Sequence, residues 1–169
     1  MNDYSVMREI LDDMEKVAKA LGVEPFPIYF LGGSACILGK YVERATRDFD
    51  LIDLNYPSGL GKVLRYLSDF DMLEYESTIL APSYKERAKR LDGFDYLQIY
   101  ILSREDIIVS KIIRMEQKDL EDIDKLIADS DKLLILKVID EVLERTDLFE
   151  SKREEFLRKL PVFKERYNV

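Results

Sequence analysis

The feature that most constrains this chain is a change of period at Ser103. Before it, short apolar runs rich in aromatic and β-branched residues recur at 28–31, 47–54, 72–78 and 96–102. Their lengths suit strands. After it, apolar residues recur in steps of three and four almost to the end, the helical period. Ser103, with Asp106 three residues later, resembles a capping box that opens this helical part. Strands confined to residues 28–102 and helices over 103–169 predict an α+β chain with α/β-like alternation at its start. We expect one domain over 1–169, with a sheet-containing core at 1–102 and a helical part at 103–169 packed on it.

Within the first part, Val6, Ile10, Met14, Val17 and Leu21 predict an amphipathic helix stopped by Gly22. Short helices are expected at 35–42, 60–67 and 84–90, the last capped by Ser83. Asp92-Gly93 reads as a turn.

Composition excludes much chemistry. The chain has no histidine and one cysteine, Cys36. Histidine-based triads, histidine–metal centres, CxxC zinc sites and internal disulfides are therefore ruled out. Carboxylates, Lys, Arg, Tyr and Ser remain, with hard cations such as magnesium as their natural partners. A net charge of −8 makes the chain a poor general binder of nucleic acid unless basic residues cluster locally. No run of 18 apolar residues is present, and residues 1–21 carry charge throughout. No membrane span and no signal peptide are expected, and a cytoplasmic location is.

The segment 31–54, LGGSACILGKYVERATRDFDLIDL, holds the densest chemistry. Gly32, Gly33 and Ser34 stand between a predicted strand and a predicted helix. Glycines allow close approach, and helix-start N–H groups attract phosphate; such a turn on its own is more often simple packing. Asp48 and Asp50, two apart on a predicted strand, would share a face while Phe49 and Leu51 enter the core. Such a pair suits a magnesium ion completed by substrate phosphates, or is two solvated acids at a strand end. Arg44, Thr46 and Arg47 could neutralise phosphate or hold the loop. The P-loop pattern fails: five residues separate Gly33 from Gly39, and Tyr41 follows Lys40 where Ser or Thr is required. Farther on, a continuous helix would place Lys111, Lys118 and Asp122 within about 40° of one another, beside an apolar stripe.

GGS, a short helix, then T-x-D-x-D on a strand resembles the nucleotidyltransferase superfamily that includes DNA polymerase β. PSYKERAKRL, YLQIYIL and DIIVSKIIRMEQKDLEDI extend the likeness to small prokaryotic nucleotidyltransferases related to AbiE-type toxins, over about residues 28–127. The resemblance implies a minimal nucleotidyltransferase fold: a small mixed sheet flanked by helices. It implies that Gly32, Gly33 and Ser34 hold an NTP triphosphate and that Asp48 and Asp50 are catalytic ligands of Mg2+. Lys111 would contact phosphates, with Asp119 or Asp122 orienting it or a nearby Arg, and Lys118 beside it. A third carboxylate is usual; Asp95 is favoured over Glu74 and Glu76. The acceptor could be RNA, a protein or a small molecule, and a cognate protein partner is possible. The tail 148–169, with Phe149, Phe156, Leu160 and Phe163, would pack on the domain or on a second copy in a homodimer. A silent nucleotide-binding module acting through protein contacts is the alternative.

Overall fold

The computed structural model describes residues 1–67 and 69–169. The chain divides into two compact units: Met1–Leu73 with Ala88–Leu102, and Glu74–Arg87 with Ser103–Val169.

The first unit opens with α1 (Tyr4–Leu21). Asp3 caps its start by accepting the Val6 N–H at 2.9 Å, and Gly22, at φ +62°, ends it. Its buried face is Met7, Leu11, Met14 and Ala18, not the expected stripe: Val6 is 37% and Leu21 55% exposed. The apolar arc of this helix is broad, and the packed face is rotated by roughly 70° at 100° per residue. Next come β1 (Pro27–Leu31), α2 (Gly32–Leu38), β2 (Phe49–Ile52), α3 (Ser58–Leu64), a 3-10 turn (Arg65–Leu67) and β3 (Phe70–Leu73). Two more strands, β4 (Lys89–Arg90) and β5 (Gln98–Ile101), complete the unit.

The five strands form one sheet in the order β3-β2-β1-β5-β4. β1 runs antiparallel to β2 and parallel to β5; β2 runs parallel to β3, and β4 antiparallel to β5. The sheet is thus mixed, as expected. Its centre is Ile28, Phe30, Phe49, Leu51 and Ile99, all fully buried. α2 packs on β1 and β2, while α1 packs on α2, α3 and the 3-10 turn.

Several predicted bounds move. α2 begins at Gly32 itself and ends four residues before Val42. β2 covers half of the expected 47–54; just before it, Thr46 exchanges backbone hydrogen bonds with Asn2 (2.7 and 2.9 Å). β3 starts at Phe70, two residues before the expected strand, and ends at Leu73.

The second unit is helical: α4 (Tyr84–Arg87), α5 (Arg104–Lys111), α6 (Gln117–Ile127), α7 (Lys132–Leu143) and α8 (Glu150–Tyr167). The helix expected over 84–90 lasts one turn, since Lys89 and Arg90 pair with β5. Ser103 caps α5 by accepting the Asp106 N–H, as its spacing predicts. The expected continuous helix breaks after Lys111; Met115 takes φ +47°, and Glu116 and Asp119 form a new capping box. The buried Arg145 explains why 74–87 belongs with the helices. Its guanidinium donates to the carbonyls of Tyr75, Thr78 and Leu80 at 2.8–3.1 Å and lies 3.8 Å from the Tyr75 ring centroid. In the tail, Phe156, Leu160 and Phe163 are buried and Phe149 is half-exposed. Among the described residues, no helix is long and apolar enough to cross a membrane.

Candidate functional site

The site is built where β1 turns into α2 beside β2. Gly32 makes the turn at φ +64°, a left-handed conformation that glycine adopts without a Cβ penalty. Leu31 pairs with Asp50 across the antiparallel ladder, which brings the Asp50 carboxylate onto the turn. A Cβ built on Gly32 would stand 2.1 Å from Asp50 Oδ2, so any side chain there would displace the carboxylate. A Cβ on Gly33 would stand 2.8 Å from an Arg44 terminal nitrogen and 3.4 Å from Thr46 Oγ1. The glycine pair is therefore bordered by a carboxylate and by a guanidinium. Among the described residues no side chain caps α2, and Gly32 and Gly33 are its accessible end, with the remainder buried. Helix-start N–H groups carry positive partial charge.

Ser34 departs from expectation. Its hydroxyl donates to the Leu31 carbonyl at 2.9 Å and accepts the Asp50 N–H at 3.1 Å, fully buried. A hydroxyl has one proton to donate, so this serine braces the turn against β2 and offers none to a phosphate. Arg44 also donates to the Ala45 carbonyl at 3.1 Å. Thr46 is buried, and Arg47 is exposed, its carbonyl accepting from Asn2 Nδ2 at 3.3 Å. Asp48 lies just before β2, half-buried. Strand alternation thus orients Asp50 away from Phe49 and Leu51, as expected, but does not itself govern Asp48.

Asp95 is not brought to this place. The parallel pairing sets Pro27 beside Gln98 and Phe30 beside Ile101. Asp95 precedes that start of β5, whereas Gly32 follows the far end of β1, some ~13 Å along the strand. Its N–H is bound by Glu15, whose carboxylate also accepts from Tyr96 and Leu97. The position of Asp95 depends on a strand direction that the local sequence does not encode. Register offers Asp71 instead. Phe70-Asp71-Met72-Leu73 pairs residue for residue with Phe49-Asp50-Leu51-Ile52, so Asp71 is the strand neighbour of Asp50 on the same face. The repeated Phe-Asp-apolar-apolar pattern at 49–52 and 70–73 is the sequence signal of this pairing, and a strand starting at Met72 omits it.

A second group of predicted residues gathers within the helical unit. Lys111, 7% exposed, lies 3.3 Å from Asp119 and 3.2 Å from Asp122, both 1% exposed. Arg114 adds two bonds to Asp119 at 2.6 and 2.8 Å. Burial raises the Asp119 carboxyl, but the Arg114 hydrogen bonds and the Lys111 and Arg114 charges outweigh it and hold it below its ordinary value. Lys118 is exposed, because the helix break removes the shared stripe projected for it. Asp119 and Asp122 do hold Lys111 and the neighbouring Arg.

Among the described residues, no three Asp, Glu, Cys or His side chains gather closely enough to hold a metal ion alone. The Asp50 carboxylate beside the helix-start amides offers oxygen donors. That chemistry fits magnesium, which completes its shell with water and phosphate oxygens.

A mixed sheet whose first strand turns through Gly-Gly-Ser into a helix, against a strand acid, is the arrangement expected of nucleotidyltransferases. Over residues 6–167 the chain matches, and belongs to, the family described as nucleotidyltransferase of unknown function (DUF6036). No curated protein matches it.

Proposed function

We propose that the chain transfers a nucleoside monophosphate from an NTP to an acceptor hydroxyl. One observation carries this reading: the Asp50 carboxylate rests against Gly32 at the open start of α2. A carboxylate and an anion-attracting helix start lie side by side, the neighbours a metal–phosphate pair requires.

In this reading Gly32 and Gly33 present backbone N–H groups to the triphosphate, and the Arg44 guanidinium borders it from the other side. Asp48 and Asp50 would hold Mg2+, which when bound supplies charge neutralisation at the α-phosphate. The acceptor oxygen forms a bond to the α-phosphorus as the bond to pyrophosphate breaks. The acceptor proton passes to a base, a role for which register favours Asp71. Lys111, held by Asp119 and Asp122, keeps its assignment as a phosphate contact on motif likeness. The same likeness supports kinship with AbiE-type toxins and a cognate protein partner.

A second reading, a module that binds nucleotide without turnover, is favoured by the absence of three converging acids among the described residues. Labelled NTPs with magnesium separate the two. Label reaching RNA, protein or a small acceptor, and lost in Asp48→Asn/Asp50→Asn, supports transfer; binding with no transfer to any acceptor favours the module.

A further inference from the structure

One concentration of cations lies outside the nucleotide site. In the sheet-bearing unit, a surface pocket of about 270 Å³ is bordered by Tyr4, Arg8, Lys40, Tyr41, Lys89 and Arg90, with Asp92 the one acid in its lining. The surplus is notable in a chain of net charge −8. Among the described residues, Lys40, Lys89 and Arg90 enter no ion pair. Arg8 is held in place: it donates to the Asp92 carbonyl at 3.2 Å, stacks 4.8 Å from the Phe94 centroid and meets Asp12 at 4.0 Å. Lys89 and Arg90 are exposed on β4, at the sheet edge. Lys40 Nζ stands 4.8 Å from the Tyr4 centroid.

Unpaired cations around tyrosine rings suit phosphates and bases together. Tyr4 and Lys40 also line an adjoining pocket of about 410 Å³, of mixed charge with Asp3 and Glu43, that reaches Arg44, the residue lying over Gly33. The two pockets thus share Tyr4 and Lys40, and the second is lined by the guanidinium-bearing residue that borders Gly33. We propose that this pocket binds the phosphodiester backbone of a single-stranded nucleic acid; resting on the reading above, that strand's end is the acceptor. A small phosphorylated acceptor would have no use for the second pocket. An acidic protein would need no ring faces.

The test is the binding of short labelled oligoribonucleotides and oligodeoxyribonucleotides to the full chain across a salt series. Binding should weaken with salt, with a log–log slope of about −0.7 per phosphate contacted, or roughly −2 to −3 for three or four contacts. Lys89→Glu/Arg90→Glu should lower affinity at least tenfold and flatten the slope by about 1.4. Lys89→Gln/Arg90→Gln should give an intermediate loss and guards against misfolding of the first variant. NTP binding should survive in both, and strand binding should survive in Asp48→Asn/Asp50→Asn. A preference between the two strands identifies the source. No binding of either strand, or no effect of charge reversal, overturns the proposal. Equal displacement by polyglutamate overturns it in favour of an acidic protein. Strand binding without NTP binding supports the pocket and counts against the nucleotidyltransferase reading alone.

Discussion

The Asp50 carboxylate lies against the α-carbon of Gly32, leaving no room for a β-carbon between them. Gly32→Ala must displace that acid and also force alanine into a left-handed conformation. We predict a loss of about 2 kcal/mol or more in urea unfolding. Magnesium-dependent nucleotide binding should fall with it. A variant of wild-type stability and binding would show that the contact has no consequence.

Ser34→Ala tests the brace between the turn and β2. It removes the acceptor of the Asp50 N–H and the donor to the Leu31 carbonyl in a fully buried place. Leaving such groups unsatisfied costs about 1–3 kcal/mol. Nucleotide affinity should drop because Asp50 loses its fixed position. If the hydroxyl instead served a phosphate directly, affinity would fall with stability unchanged.

Asp71→Asn addresses the third carboxylate. With Asp71 as the base, transfer should slow by about 10²-fold or more while NTP affinity stays near wild type. Unchanged transfer would return the search to another residue.

Asp119 gives a pH prediction. Its carboxyl is held below the ordinary value in the folded chain, so the unfolded chain takes up its proton at higher pH. This carboxylate's contribution is complete above the unfolded value of about 3.9 and is lost as pH falls through the folded value. The urea-midpoint difference between wild type and Asp119→Asn should therefore narrow below about pH 4. Lys111→Met, which leaves Asp119 and Asp122 buried without their lysine, should cost about 3–5 kcal/mol at neutral pH.

Much of this arrangement is legible in the residues themselves. Gly22 and Ser103 mark helix ends because capping is local chemistry. Gly32-Gly33 and Asp50 meet because a tight turn and a following strand leave few alternatives. What depends on pairing is not legible. Whether β5 runs parallel to β1 decides Asp95, and whether β3 begins at Phe70 decides Asp71. Both are set by contacts between distant segments. The α6 start at Gln117 was hidden because Lys111, Lys118 and Asp122 keep helical spacing across a break. The backbone partners of the Ser34 hydroxyl are likewise not legible, since residue type alone does not say which backbone groups surround it.

The most direct measurement is NTP binding with and without magnesium, wild type beside a folded Asp48→Asn/Asp50→Asn variant. Binding of at least one NTP that requires magnesium, and weakens about a hundredfold in the variant, is the predicted result. Nucleotide binding unaffected by the variant, or none with any NTP, would contradict the placement of the site at Gly32 and Asp50.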